Sequence, residues 1–500
     1  MKHIVLFGAG KSATVLIEFL LSNAERLNYQ LHVVDANLDL AIAKTKNHPH
    51  GLAYGINNSE EKQVESLVEM ADLVISLLPP HLHAQMAERC IRHKKHFLNA
   101  SYVTPEIRKL NESALQEGLT FLCEMGLDPG IDHMSAMLLI NKIRREGGVI
   151  KSFLSHCGGL VAPESDDNPW HYKISWNPRN IVLAGKDGAS YREHGAEIKE
   201  SYAQLFNASR TVNIPTLGTY AWYPNRDSLS YLPLYALENV ETFVRTTLRH
   251  PDFSFGWKNL VELKLTDETV VYDTDGMSLS AFFQIHFDRN GFSDWLQETL
   301  AKRFNNTKEY LENLINIMEA EKTIIPESAG TTGDFMIVDD QGNLMDLNLE
   351  KVKHSATSKM ASEMHEANLA LKQLFFLGLD SPELINKGKC SAADVLQFIL
   401  EKRLALSPDD KDMVVMMHEI GYELDGKEKT VRSHLIAKGK DSVYTAMART
   451  VGMPLGIAAL MILDGRIDRR GVIIPIYEDI YTPVLEELEK QGIRFVHDQQ

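Results

Sequence analysis

Residues 3–21, HIVLFGAGKSATVLIEFLL, constrain the fold of this chain more than any other stretch. An apolar run reading as a buried strand ends at Gly8, and an amphipathic helical pattern is under way by Ala13. Gly8, Gly10 and Ala13 fall in the pattern G-x-G-x-x-A. The first glycine permits a tight turn, the second lets backbone approach a pyrophosphate, and the small Ala13 lets helix and strand pack closely. The helix N-terminus then faces the phosphate charge. A second strand pattern, QLHVVDAN, ends in Asp35 at the roughly 20-residue spacing where a carboxylate meets the ribose hydroxyls. A carboxylate there repels a 2′-phosphate, and no basic residue follows before Lys44. The cofactor expected from these residues is therefore NAD rather than NADP.

Strand patterns recur in ADLVISLLPP, HFLNASYVTP and LTFLCEMGLDPG, separated by helical patterns near 81–94 and 104–117. This alternation predicts an α/β chain that opens on a Rossmann-like, doubly wound parallel sheet. Ligands of such sheets sit outside the carboxyl ends of the strands. The loops Leu77–Pro80, Asn99–Tyr102 and Gly126–Gly130 all lie there, so Asp128 is expected to point into the crevice. Asp128 before Pro129 also reads as a helix N-cap. Asp132 falls inside the helix on this reading and is taken as structural.

The remaining composition narrows the function. Four cysteines, Cys90, Cys123, Cys157 and Cys390, form no C-x-x-C pair, and His81 and His83 lack further ligands at metal-like spacing, so no metal site is expected. A formal charge of −16 argues against nucleic acid and anionic membrane as partners and requires that an anionic ligand be held by a few local Arg or Lys residues. The N-terminus lacks the h-region of a signal peptide, and apolar runs such as GIAALMIL stop short of a membrane span, so a cytoplasmic location is expected. Five hundred residues imply two or three domains. The expected division is a dinucleotide-binding domain over 1–128, onto which 442–500 packs back, an α/β substrate domain over 129–289 and 400–441, and a mainly helical subdomain over 290–399. KDMVVMMHEIGYELDGKEKT reads as two strands around an Asp-Gly turn. The methionine-rich MVVMM is core or dimer-interface material, and a homodimer is expected.

NASYVTP, GLDPGIDHM, CGGLVAPESDDNP, ISWNPRN, YPNRDS and TTLRH occur in this order, followed by EKRLALSPDDKDMVVMMHEIGYE and YTAMARTVGMPLGIAALMILDGRI. Together they resemble the saccharopine dehydrogenase family of the L-glutamate-forming type, also called saccharopine reductases. The resemblance spans nearly the whole chain and is weakest at about 290–385. It implies oxidation of saccharopine, a small molecule with three carboxylates, by a nicotinamide cofactor in lysine metabolism, giving L-glutamate and 2-aminoadipate 6-semialdehyde. It assigns the cofactor to Gly8, Gly10, Lys11, Ser12, Ala13, Asp35, Leu78, Pro79, Leu127, Asp128 and Ser175. The substrate falls to Ala100, Ser101, Tyr102, Asp128, Arg226, Thr246, Thr247 and Leu248, with Asp128 as the catalytic carboxylate. Arg249 is a weaker substrate candidate, and Lys173 reads as a solvated lysine. Two residues depart from the family's pattern: Lys11 stands where an uncharged residue is usual, and Asn99 where a Thr is. A polyamine-type imine reductase and a non-catalytic NAD-binding paralogue are the alternatives. The first would need clustered carboxylates; the second would tolerate loss of Asp128 or Arg226, and both are present.

Overall fold

The computed structural model describes residues 1–206, 210–295, 298, 335–338, 344–347, 364–366 and 368–499. Strands β1 (Lys2–Phe7), β2 (Tyr29–Asp35), β3 (Gly51–Gly55), β4 (Leu73–Ser76), β5 (His96–Asn99), β6 (Thr120–Leu122) and β19 (Gly471–Ile473) form a parallel sheet in the order β19-β6-β5-β4-β1-β2-β3. The chain starts at β1, runs outward to β3, then crosses back to β4 and runs to the other edge. That reversal beside β1 is the switch point where an open sheet leaves a crevice. Ile4, Leu6, Leu31, Val33, Leu73 and Ile75 are fully buried, as strands covered by helices on both faces require.

Helix α1 (Ala13–Leu27) buries Leu16, Ile17, Leu20 and Ala24 along one face. The helix Ala446–Leu463 lies against it, capped by Thr445, whose hydroxyl accepts the Ala448 N–H at 2.9 Å. Gly452 and Gly456 permit the close approach: a Cβ on Gly452 would stand 2.9 Å from the Leu16 nitrogen, and one on Gly456 2.5 Å from the Phe19 ring. This helix is long and apolar enough to cross a membrane by length and composition, which the short runs read from the sequence did not suggest, but most of it is buried inside the fold. The segment after residue 442 divides. Its strand β19 pairs with β6, whereas β20 (Val496–Gln499) joins a second sheet, so it does not pack as one piece on the dinucleotide-binding half.

The second sheet carries β7 (Val149–Val161), β8 (Ala189–Glu193), β9 (Ala196–Glu200), β10 (Thr211–Ile214), β11 (Gly218–Pro224), β12 (Thr242–Arg249), β17 (Asp412–Leu424) and β18 (Lys427–Lys438). Its path is β10-β11-β12-β7-β17-β18-β20, with β8 paired to both β12 and β9. Asp425 and Gly426 join β17 to β18 with φ of 54° and 71°, the paired left-handed turn expected of Asp-Gly. Helix α7 (Ile131–Arg145) is packed on nearly every side, against β7, β17 and the helix Glu478–Lys490.

Residues 1–254 and 404–500 make one compact unit, and residues 255–403 a second. The division falls near residue 254 rather than at 289, and near 404 rather than at 400. Within the second unit, β13 (Tyr272–Asp273) pairs with β16 (Lys389–Cys390), and β14 (Phe335–Val338) forms a hairpin with β15 (Leu344–Leu347). The unit also contains the helices Leu279–Asn290 and Ala392–Arg403. The helical stretch read over WLQETLAKRFNNTKEYLENLINIMEAE lies almost wholly outside the described residues. The described part of 290–399 mixes helix with the β14–β15 hairpin.

Candidate active site

The glycine turn is built as its residue types require. Gly8 has φ +102°, and a Cβ there would stand 2.7 Å from the Leu77 carbonyl oxygen. Only glycine accepts both the backbone conformation and that approach. A Cβ on Gly10, by contrast, would meet nothing within 4 Å, so the turn is open above it. Ser12 precedes α1 without capping it; the Ala13 N–H donates to the Gly10 carbonyl at 3.1 Å, and the side-chain cap that would take the next N–H groups is absent, which suits an anion there. Lys11 is exposed and Ala13 is buried. The Asp35 carboxylate accepts the Ala9 N–H at 2.8 Å and the Asn37 N–H at 2.9 Å. Lys44 folds back from the helix Leu38–Thr45 onto the Gly10 carbonyl at 3.2 Å and the Thr14 hydroxyl. A cation thus stands beside Asp35 in space although the sequence places it nine positions later. Leu78 is half-buried and Pro79 exposed at the end of β4. An open glycine turn, an uncapped helix start and an acidic strand end fit a dinucleotide.

The loop after β6 departs from the N-cap reading. The cap position of α7 is Gly130, Pro129 lies before the helix, and the Asp128–Pro129 bond is cis. The Asp128 carboxylate instead accepts the Tyr102 hydroxyl at 3.2 Å and the Arg245 guanidinium at 2.6 Å. It therefore faces outward from the sheet rather than back onto its own helix. Asp132, taken as structural from its helical position, is the other partner of Arg245, at 2.7 Å. Its second oxygen accepts the Gly130 N–H at 2.6 Å, so this residue anchors the loop and Arg245 together. His133 continues the network: Nε2 meets Glu124 at 2.8 Å and Nδ1 meets the Tyr235 hydroxyl at 2.6 Å. Glu124 also accepts the Tyr231 hydroxyl at 3.0 Å and the Val103 N–H at 2.9 Å. Arg245 lies 4.4 Å over the Tyr231 ring.

Burial pushes the two aspartates up, but their partners divide them. Asp128 rises to about 6, through desolvation and the nearby Asp132 charge, against the pull of Arg245. For Asp132 the same burial is outweighed by His133, Arg245 and the Gly130 N–H, and its carboxyl falls below the usual range. Neighbouring carboxylates whose titrations are pushed apart in this way supply one fixed charge and one proton acceptor poised near neutrality. Asp132 was taken from the sequence as structural only, and Arg245 was not singled out. A charged residue inside FVRTTLR, otherwise a buried strand, was the available signal, since a buried charge must be paired.

The other expected residues separate into two groups. Ala100, Ser101, Tyr102 and Leu127 line the strand ends around Asp128. The Ser101 hydroxyl bonds His83, which bonds Ser76 at the end of β4, each at 2.9 Å. Arg226 sits at φ +53°, with its guanidinium 5.3 Å over the Tyr102 ring. In contrast, Thr246 hydrogen-bonds His156 at 2.7 Å and Leu248 is fully buried in the sheet; Thr247 between them is half-buried. Ser175 is buried and hydrogen-bonds Asp412. Lys173 is not solvated: it is buried and holds Asp167 at 2.8 Å and Asp410 at 2.7 Å. Arg249 is likewise buried, donating to the Leu248 carbonyl at 2.8 Å beside Tyr172 and Phe253.

Among the described residues, His171, His250 and Asp252 have ligand atoms within 4.8 Å of one another. The two nitrogens of His171 already face Asp166 at 2.6 Å and Asp252 at 3.3 Å, and these carboxylates raise the ring to about 9. A protonated imidazole has no lone pair for a metal, so the group reads as a carboxylate-held imidazolium.

Tyr102, Glu124, Tyr231 and Arg245 form the buried wall of a cavity of about 960 Å³ outside the carboxyl ends of β5, β6 and β19. The crevice beside the glycine turn and this cavity therefore lie along one edge of one sheet, with Asp128 and its partners toward the cavity side.

Residues 4–122 match the saccharopine dehydrogenase NADP binding domain, and residues 126–493 the saccharopine dehydrogenase C-terminal domain. The chain belongs to the saccharopine dehydrogenase family. It is 30% identical over 495 residues to saccharopine dehydrogenase (NADP(+), L-glutamate-forming) of Schizosaccharomyces pombe, covering 99% of this chain and 98% of that one. Against alpha-aminoadipic semialdehyde synthase of Arabidopsis thaliana the identity is 33% over 478 residues, covering 93% of this chain but 40% of the plant protein. The chain thus spans less than half the length of the plant relative and nearly all of the fungal one. The apo saccharopine dehydrogenase (L-Glu forming) of Saccharomyces cerevisiae superposes with a TM-score of 0.77 at 28% identity, covering both chains fully. These relatives and the fold agree with the resemblance read from the motifs, including a nicotinamide-dinucleotide domain at the N-terminus.

Proposed function

We propose that this chain is a saccharopine dehydrogenase that oxidises L-saccharopine to L-glutamate and 2-aminoadipate 6-semialdehyde, with NADP as hydride acceptor. The observation that carries the reading is Asp128 buried against Arg245 and Tyr102, two residues that line a cavity also bearing Arg226.

The cofactor, when bound, supplies the nicotinamide that accepts hydride from the lysine-derived carbon of the substrate. Gly8, Gly10 and the N–H groups of Lys11 and Ser12 would hold its pyrophosphate, and Leu78, Pro79 and Leu127 would line its groove. Lys44 offsets the charge of Asp35 where a 2′-phosphate would lie. That cation and the NADP in the fungal relatives' names favour NADP over the NAD expected from Asp35 alone. Ser175 would contact the cofactor only if its hydroxyl left Asp412.

A protonated secondary amine cannot release hydride, because its nitrogen lone pair is occupied. Asp128 accepts the amine proton, and the freed lone pair forms the C=N bond as the C–H pair departs. Arg245 keeps Asp128 oriented, and Tyr102 donates to the same oxygen. Arg226, beside Tyr102, holds a glutamate-side carboxylate, assisted by Ser101 and the backbone near Ala100. Water then adds to the imine carbon, and collapse of the adduct releases the glutamate nitrogen from the aldehyde. The polyamine alternative needs free carboxylates around the amine, but Glu124 is engaged by His133 and Asp132 by Arg245.

Incubation of the protein with L-saccharopine and NADP, with mass spectrometry of the products, tests the proposal. L-Glutamate and the semialdehyde are expected in equal amounts; unchanged saccharopine with a dinucleotide-loaded protein would reject it.

A further inference from the structure

The cavity wall beyond Arg226 carries charges that the chemistry above does not use. Arg108, from the helix Pro105–Lys109, and Lys199, from β9, line the same cavity. Both are exposed, and neither has a carboxylate partner among the described residues. Two neighbouring arginines, by contrast, are taken: Arg210 by Glu200 at 2.6 Å, Arg245 by Asp128 and Asp132. The cavity carboxylates show the same division. Asp227 accepts the Ser190 hydroxyl at 2.6 Å and the Leu229 N–H at 3.0 Å, and Glu200 is held by Arg210. Asp187, exposed beside them, has no such partner among the described residues.

Two unpaired cations and one unpaired carboxylate thus stand on the open rim of a cavity whose buried wall holds Tyr102 and Arg245. Saccharopine presents matching groups. Its secondary amine and glutamate carboxylates belong near Asp128 and Arg226, and a methylene arm separates them from an α-carboxylate and an α-ammonium. We propose that Arg108, Lys199 and Asp187 form the subsite for this zwitterionic end, with the cations on the carboxylate and Asp187 on the ammonium. The subsite rests on the saccharopine reading and adds a determinant of specificity: the chain rejects amines whose arm lacks the amino-acid terminus. A polyamine arm would meet two extra cations, and a plain alkyl arm would leave three charges unanswered.

Steady-state kinetics of wild type, R108A/K199A, D187N and K199R with L-saccharopine and with N-pentyl-L-glutamate, which keeps the reacting amine but lacks the zwitterion, test the subsite. Wild type should prefer saccharopine. R108A/K199A should raise KM for saccharopine about tenfold, as expected for two rim ion pairs, with kcat little changed and N-pentyl-L-glutamate kinetics unaffected. D187N should raise KM in the same selective way, and K199R should restore binding. Equal losses on both substrates, or none on saccharopine, would overturn the subsite while leaving the proposed reaction standing. Failure of the wild type to oxidise saccharopine at all would remove the reading on which the subsite rests, and the subsite with it.

Discussion

Asp128 meets two demands that are hard to combine. In the proposed reaction it must stay a carboxylate to accept a proton, yet sit where water is scarce enough to raise its basicity. Burial supplies the second and Arg245 the first, with the residue ending near 6. D128N removes the acceptor while Asp132 still holds Arg245, so the fold should persist and kcat/KM with saccharopine should fall about 10²–10⁴-fold, as measured by initial rates. The pH profile has a definite sign. Only the deprotonated acid accepts a proton, so kcat/KM in wild type should climb as pH rises through about 6 and be lost below it. A flat profile across that range would assign the proton transfer elsewhere. At this scale the sequence was uneven. Asp128 was legible because its loop follows a strand in a countable alternation. Arg245 was not, because nothing local says that a strand arginine more than a hundred residues later pairs with that loop. The N-cap reading of Asp128 failed because Asp-Pro chemistry describes an isolated helix start. Here Gly130 takes the cap position and the carboxylate turns to Arg245 and Tyr102.

Among the elements, the glycine turn and the β17–β18 hairpin form where local chemistry alone demands them, and both were read correctly from residue type. The loop 163–173 behaves differently. Its residues carry no regular period, and it is tied down by His171, wedged between Asp166 on its own loop and Asp252 in the helix beginning at Pro251. Those carboxylates hold the ring protonated up to about 9, against 6.5 for a free imidazole. A raised basic group stabilises the fold fully below its unfolded pKa, and that contribution fades as pH rises through its folded pKa. H171Q should therefore cost on the order of 1–2 kcal/mol at pH 6, discounted for partial exposure, and little at pH 10, as read from urea midpoints at both values. An equal loss at both pH values would mean that the ring acts by packing rather than by charge.

For the whole molecule, the α/β class and the parallel N-terminal sheet followed from alternating periods, which survive any tertiary arrangement. The distribution of the C-terminal segment did not, since its pieces serve two sheets: β19 extends the parallel sheet beside β6, and β20 pairs with β18. Gly471 N–H donates to the Leu119 carbonyl at 2.8 Å, and Cys123 N–H to the Ile473 carbonyl at 3.0 Å, so β19 covers the edge next to the Asp128 loop. A chain ending at Arg470 should lose the cooperative thermal transition of the full protein, as followed by circular dichroism; an unchanged transition would show that the final thirty residues are ancillary. Whether crevice, Asp128 and cavity act together on saccharopine is read from the absorbance of reduced nicotinamide after L-saccharopine is added to the full chain with NADP, and in parallel with NAD. Steady reduction with NADP that outpaces NAD is the predicted result. No reduction with either, from protein shown to bind the dinucleotide, would contradict it.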